Sequence, residues 1–134
     1  MSKLSPRQLD VVLDMKGTVP TVNQLPYGVG FDGYYDGRAA SVVAENTKRG
    51  VVVQAWSPLQ RALRGKNREV CAQIGQKYGK TAAQVALRWI ADTGCTFTTA
   101  VTRKREGAAA RFREDIDIFD FQLSKDDVAT LAKL

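Results

Sequence analysis

The sequence predicts an α/β protein with three parallel strands and flanking helices. Apolar, β-branched runs at 21–25, 51–56 and 95–101 alternate with helical patterns along the chain. Each pair of successive strands is separated by at least one predicted helix, and strands joined in this way run parallel with right-handed crossovers. Residues 1–134 are long enough for one sizeable hydrophobic core, so a single domain is expected.

The first third of the chain contains a helix, a strand and a loop. A helix is predicted from Ser5 to Met15, because Ser5 and Gln8 have the spacing of a capping box. Residues 21–25 form a short strand that Pro26 closes. Residues 26–36 combine glycines with aromatic side chains and indicate a loop.

The next helix leads directly into the central strand. Asp36 is predicted to cap a helix that runs to Arg49, where Gly50 ends it. The run Val51–Val53 favours a strand that is buried on both faces. This strand is expected to end at Trp56, because Pro58 removes a backbone donor. In parallel α/β proteins such a carboxyl-terminal tip is where ligands bind.

The remaining elements follow a basic loop at 57–66. A helix is predicted from Asn67 to Tyr78, and a second one begins with the capping box of Thr81 and Gln84 and runs to Thr93. A strand at 95–101, a helix at 107–115 and a docked segment at 116–123 come next. Ser124 caps the last helix.

Composition disfavours several classes of function. The net charge is +6 and the pI is near 9.5. The basic residues are scattered along the chain, which disfavours a nucleic-acid-binding protein. A small phosphate-bearing ligand explains the positive charge equally well. The two cysteines form neither a disulfide framework nor a metal motif, so a cytoplasmic or other reducing compartment is expected. No apolar run is long enough for a membrane helix and no signal peptide is recognisable. The chain has no histidine, and no metal site is predicted.

Several motifs together resemble one known family. They are Val22-Asn23-Gln24, Gln54-Ala55-Trp56-Ser57-Pro58-Leu59, Lys77-Tyr78-Gly79-Lys80-Thr81, Gln84-Val85-Ala86-Leu87-Arg88-Trp89 and Ile118-Phe119-Asp120-Phe121-Gln122-Leu123-Ser124. The sequence resembles the C-terminal half of the aldo-keto reductases, with Met1–Ser5 similar to the tip of the family's fifth strand. The resemblance implies about half of a (β/α)8, or TIM, barrel. It also implies an activity, the NADPH-dependent reduction of aldehydes and ketones.

The resemblance implies a set of NADP-binding residues, at a site that is expected to be weak or vestigial in this chain. Ser2 and Gln24 would hold the carboxamide of the nicotinamide, and Trp56 would stack on its ring. Ser57 and Leu59 would line the pyrophosphate channel. The adenosine end would be contacted by Arg111 at the 2′-phosphate, by Glu114 at the adenine, and by the basic residues Arg103, Lys104 and Arg105.

The departures from the family leave the activity open. The family's catalytic Asp, Tyr, Lys and His belong to its first four βα units, which these residues do not resemble, so no catalytic residue is predicted and the chain alone is expected to be inactive. Lys3 and Asp115 each stand where the family has asparagine, and the usual Pro-Lys-Ser after the eighth strand is missing.

Three interpretations follow from these departures. In the first, the chain is part of an enzyme whose other half is missing or comes from another chain. In the second, it is a catalytically silent half-barrel that serves as a structural or binding subunit. In the third, it is a basic nucleic-acid-binding domain. Open sheet edges favour a partner, either another protein chain or a second copy.

Overall fold

The computed structural model describes residues 1–15, 17, 19–31, 39–100 and 107–134. The described elements, in chain order, are α1 (Pro6–Asp14), β1 (Val22–Pro26), α2 (Ala39–Thr47), β2 (Val52–Trp56), α3 (Gly65–Tyr78), α4 (Ala82–Asp92), β3 (Thr96–Thr98), α5 (Ala108–Ile116) and α6 (Lys125–Leu131). Within these residues no helix is long and apolar enough to cross a membrane.

The strands form one parallel sheet in the order β1-β2-β3, so the predicted three-stranded parallel architecture is confirmed. The register places Gln24 opposite Gln54 and Gln54 opposite Thr96. Ser2 adds a parallel bridge to Gln24 on the outer side of β1. The segment 1–3 therefore occupies a fourth strand position at this edge.

Local sequence signals define the starts of two helices as predicted. The Ser5 side chain accepts from the backbone N–H of Gln8 at 3.3 Å, while the Gln8 side chain accepts from the Ser5 N–H at 2.8 Å. Thr81 and Gln84 form the same reciprocal pair at the start of α4. Both capping boxes satisfy amide groups that a helix start otherwise leaves without a partner.

Several predicted boundaries are wrong. Pro26, which was expected to close the first strand, is the last paired residue of β1, and α2 ends at Thr47 rather than Arg49. Helix α3 begins at Gly65 rather than Asn67 and takes in the end of the expected basic loop. Strand β3 is only Thr96–Thr98, because its ladder partner β2 ends at Trp56, just before Pro58. The predicted cap Asp36 lies outside the described residues, as does Val101 at the end of the expected third strand.

The two faces of the sheet differ in burial. Leu25, Val53 and Ala55 face the helices and are fully or almost fully buried. On the opposite face Val52 is 36% exposed and Trp56 is 44% exposed. The prediction that β2 is buried on both faces is therefore wrong. The β-branched run correctly predicts a strand, but the described helices cover only one face of the sheet, so the other face is partly exposed.

An aromatic pair lies at the centre of the helix-covered core. Tyr27 and Trp89 are almost completely buried and stack with their ring centroids 5.4 Å apart. The Trp89 indole Nε1 donates to the Val128 carbonyl at 3.1 Å, which satisfies its polar atom and ties α4 to α6.

Two buried asparagines form a polar contact on the helix side of the sheet. The Asn23 side-chain amide exchanges hydrogen bonds with the backbone of Leu4, at 2.9 Å as donor and 3.2 Å as acceptor. Asn23 Nδ2 also lies 3.0 Å from Asn46 Oδ1, and Asn46 in turn donates to the Val42 carbonyl. This network fastens the segment before α1 to β1 and α2.

The turn between α3 and α4 brings two backbone segments into close contact. Gly75 is buried in the interior of α3, and its carbonyl accepts from the N–H of Lys80 at 2.9 Å. A Cβ atom at Gly75 would overlap the carbonyl oxygen of Lys80. Glycine is therefore required here by space, although it is a poor residue for a helix interior.

A buried carboxylate joins the end of α3 to the start of α6. Asp127 accepts from Lys77 Nζ at 2.6 Å, from the Tyr78 hydroxyl at 2.7 Å and from the Ser124 hydroxyl at 2.8 Å. Burial by itself would raise the pKa of Asp127, but these hydrogen bonds outweigh it and the pKa is lowered.

Candidate functional site

The open face of the sheet carries a row of polar side chains across its strands. Ser2, Gln24 and Gln54 lie side by side, because paired residues of neighbouring strands point to the same face. The Gln24 Nε2 donates to Gln54 Oε1 at 2.8 Å, and the Ser2 hydroxyl lies 3.4 Å from the Gln24 carbonyl. Ser2 and Gln24, the two residues expected to hold a carboxamide, are thus adjacent, and the side-chain amide of Gln24 is hydrogen-bonded to Gln54.

The next row contains Trp56 at the carboxyl-terminal tip of β2. It lies between Pro26 and Thr98 in the register. The indole is 44% exposed, so one large aromatic surface is open at the tip. The Lys3 ammonium lies over this ring, 5.3 Å from its centroid, in a cation–π arrangement.

A cleft of about 370 Å³ begins at Trp56 and runs between the β2 and β3 tips. Its walls include Ser57, Leu59, Thr99 and Asp115. Ser57 has a φ of +54°, which is a strained conformation for a residue other than glycine. Strain of this kind clusters at ligand sites, and here it turns the chain sharply out of β2.

A second cleft of about 460 Å³ adjoins the first. Both clefts are lined by Leu59, Ala100 and Asp115, so these residues form their common boundary. The second cleft is also lined by Arg111 and Glu114 on one helix and by Arg68 on another. Together the clefts form a channel from an aromatic platform to a pair of arginines.

Two carboxyl groups modify the charge of this channel. Asp115 is only 8% exposed, and burial raises its pKa even though Thr99 donates a hydrogen bond that lowers it. Glu114 accepts from the Thr81 hydroxyl at 2.6 Å, which positions the carboxylate at the start of α4. The acidic pair lies beside Arg111, so the second cleft is not uniformly basic.

The structure brings most of the predicted residues into two neighbouring groups. Trp56, Ser57, Leu59, Arg111 and Glu114 line the two clefts, while Ser2 and Gln24 lie on the open face beside β2. Arg103, Lys104 and Arg105 fall outside the described residues.

Sequence reasoning missed Arg68 in the second cleft. It is one cation among several in a basic stretch, so nothing in its position along the chain distinguished it. The contact of Lys3 with Trp56 was missed as well, although both residues had been singled out.

Comparisons with known proteins point to one family. No protein-family model matches the chain. It is 29% identical to the methylglyoxal reductase DkgA of Yersinia pestis over 127 residues, a match that covers 94% of the chain. It is 40% identical to the glyoxal reductase of Bacillus subtilis over 80 residues, a match that covers 60% of the chain. A solved aldo-keto reductase of the silkworm Bombyx mori superposes over 98% of the chain with a TM-score of 0.77 and 31% identity.

The chain is homologous to the aldo-keto reductases. The match covers 42% of the Yersinia pestis protein, 27% of the Bacillus subtilis protein and 40% of the silkworm structure, so this aldo-keto reductase homologue spans less than half the length of these relatives. Its three parallel strands and helices are accordingly part of a TIM barrel. The silkworm protein has also been solved in complex with NADPH.

Proposed function

We propose that residues 1–134 form one half-barrel unit that binds NADPH at its strand tips. The observation that carries this proposal is the pair of adjoining clefts that extend from the exposed indole of Trp56 to Arg111. It is supported by relatives whose names describe reductases and by a related structure solved with NADPH. In the whole family enzymes the bound NADPH supplies a hydride to an aldehyde or ketone.

The nicotinamide end of the proposed site combines an aromatic surface with amide partners. The ring stacks on Trp56, where offset aromatic contacts are favourable. Ser2 and Gln24 take the carboxamide, and Gln24 has to exchange its present hydrogen bond to Gln54 to do so. Ser57 and Leu59 line the path of the pyrophosphate.

The adenosine end distinguishes NADPH from NADH. Arg111 offers a planar guanidinium that binds a phosphate through two parallel hydrogen bonds. Glu114 faces the adenine in this proposal, while Arg68 adds a second cation to the cleft wall. The basic residues 103–105 belong to the same proposed phosphate site.

The proposed unit binds the cofactor, and the described residues that line its two clefts include no tyrosine or histidine to donate the proton that carbonyl reduction requires. The chain contains no histidine. Tyr27 is buried on the helix side, its hydroxyl donates to Thr93 Oγ1 at 3.3 Å, and burial raises its pKa well above the usual range. It therefore offers no acid at the strand tips. Both cysteines are buried free thiols, in keeping with a cytoplasmic or other reducing compartment.

We expect Arg111→Ala to weaken NADPH binding by about one to two decades and to leave NADH binding unchanged. A charge-assisted contact to a phosphate contributes roughly 1.5–3 kcal/mol, and NADH lacks that phosphate. The measurement is the quenching of tryptophan emission by each cofactor, with Trp56 as the exposed reporter and Trp89 as the buried one.

Arg113→Ala is the matched control, because Arg113 is an exposed arginine on the same helix and does not line either cleft. It should leave the affinity for NADPH within about twofold, since surface charge alone is weak at physiological salt. Equal losses in the two variants would contradict an arginine-specific phosphate site.

A second candidate function is that of a silent structural or binding subunit, and the exposed apolar side chains favour it. Val11 of α1 is 60% exposed and Met15, the C-cap of that helix, is 66% exposed. Phe112 and Ile116 of α5 are 57% and 56% exposed. Helix α1 follows the strand segment at one edge of the sheet, and α5 follows β3 at the other. Apolar helix surfaces beside both edges are suited to a second copy or another protein chain.

The purified chain is therefore expected to self-associate reversibly or to co-purify with a partner chain. Sedimentation velocity over a range of concentrations measures this. Phe112→Glu combined with Ile116→Glu should shift the equilibrium towards the monomer, whereas Arg113→Glu on the same helix should change it less. A stable monomer of the unmodified chain, free of aggregation and of any partner, would refute the proposal.

A further inference from the structure

Lys3 occupies the space beside the aromatic surface on which the proposed cofactor would stack. Its Nζ lies 5.3 Å from the centroid of the Trp56 ring. The backbone of Lys3 is fixed by the sheet, because its N–H donates to the Gln24 carbonyl at 2.8 Å. Its φ of +57° is unusual for a lysine and directs the chain away from the edge of β1. The backbone of Lys3 is therefore fixed beside β1, and from there its side chain reaches the indole and makes the cation–π contact.

The charge of the stacking ring differs between the two forms of the cofactor. The nicotinamide of NADP⁺ is a cationic pyridinium, and the dihydronicotinamide of NADPH is neutral. A pyridinium on Trp56 would meet the Lys3 ammonium as a like charge and would compete with it for the electron-rich face of the indole. The neutral dihydronicotinamide of NADPH would compete with the Lys3 ammonium for space on the indole but would not be repelled by its charge.

We propose that Lys3 selects the redox state of the cofactor by disfavouring NADP⁺ at Trp56 relative to NADPH. This inference rests on the proposed function, since it concerns the nicotinamide end of that same site. The family asparagine at this position carries no charge, so the selection is a property of this chain. Ser2 and Gln24 place Lys3 within reach of the Trp56 ring, because they hold the Lys3 backbone in register with β1.

The test compares three ligands by isothermal titration calorimetry: NADPH, NADP⁺ and 2′,5′-ADP. The last one carries the adenosine phosphate but no nicotinamide, so it reports only on the Arg111 end. The variants are Lys3→Met, which keeps the length of the side chain without its charge, and Lys3→Arg, which keeps the charge. For Lys3→Met the ratio of NADP⁺ to NADPH affinity is expected to rise by roughly fivefold. This factor corresponds to removing the repulsion between two like charges about 4 Å apart in water.

The remaining ligands and variants separate this inference from the proposed function. Lys3→Arg should keep the wild-type ratio, and 2′,5′-ADP should bind the wild type and both variants alike. If Lys3→Met changes NADPH and NADP⁺ affinity by the same factor while 2′,5′-ADP still binds, the redox selection is wrong and the cofactor site stands. If none of the three ligands binds the unmodified chain, the proposed function fails and the inference fails with it.

Discussion

Replacing Gly75 by alanine is expected to lower the free energy of unfolding by about 3 kcal/mol or more, because overpacking a tightly packed interior forces the backbone to move. The added Cβ would overlap the Lys80 carbonyl oxygen, which belongs to the turn between α3 and α4. Helix propensity alone predicts the opposite sign, since alanine is favoured over glycine in a helix by about 1 kcal/mol. The sign of the measured change therefore decides between propensity and packing.

Urea denaturation followed by far-UV circular dichroism gives the required free energies. Gln76→Ala is the matched control, because it changes the exposed neighbouring position of α3 and should stay within about 0.5 kcal/mol of the wild type. If Gly75→Ala is as stable as the wild type, or more so, the close approach of α3 to the turn does not exist in solution.

Asp127→Ala is expected to cost about 3 kcal/mol at pH 7, because it removes the acceptor of several hydrogen bonds to a charged group. Lys77, Tyr78 and Ser124 all donate to this carboxylate, so its loss separates the end of α3 from the start of α6. Asp126→Ala is the control, since Asp126 is an exposed acid in the same first turn. It should have a much smaller effect.

The same carboxylate makes a pH-dependent contribution. Its pKa is lowered in the folded protein from an ordinary value of 3.8, so its stabilising contribution is complete above that value and is lost as the pH falls through the folded pKa. The difference in unfolding free energy between the wild type and Asp127→Ala should therefore shrink towards pH 2. A difference that is the same at pH 7 and pH 2 would mean that the charge of Asp127 does not stabilise the fold.

The features predictable from the sequence are those that nearby residues determine. Ser5 with Gln8, and Thr81 with Gln84, satisfy each other across three positions, so the helix starts are visible in the sequence alone. The position of Trp56 at a strand tip was also predictable, because Pro58 has to end the ladder.

The features that escaped prediction depend on distant partners. Thr96–Thr98 is short only because β2 stops opposite it, and Val52 is exposed only because the described helices cover one face of the sheet. The contact between Lys3 and Trp56 joins residues that are far apart in the chain. No local rule distinguishes such a lysine from an ordinary surface charge.

The buried Asn23 raises the free energy needed to open the segment that carries Ser2 and Lys3. Its amide binds the Leu4 backbone and Asn46 at once, so the segment that carries Ser2 and Lys3 cannot fray without disrupting a buried contact between β1 and α2. Segments with few buried contacts usually open at little cost, independently of the rest of the protein. Here the N–H groups of Lys3 and Leu4 are bonded to residues of β1, so we expect these two amides to exchange with solvent only when the sheet itself opens.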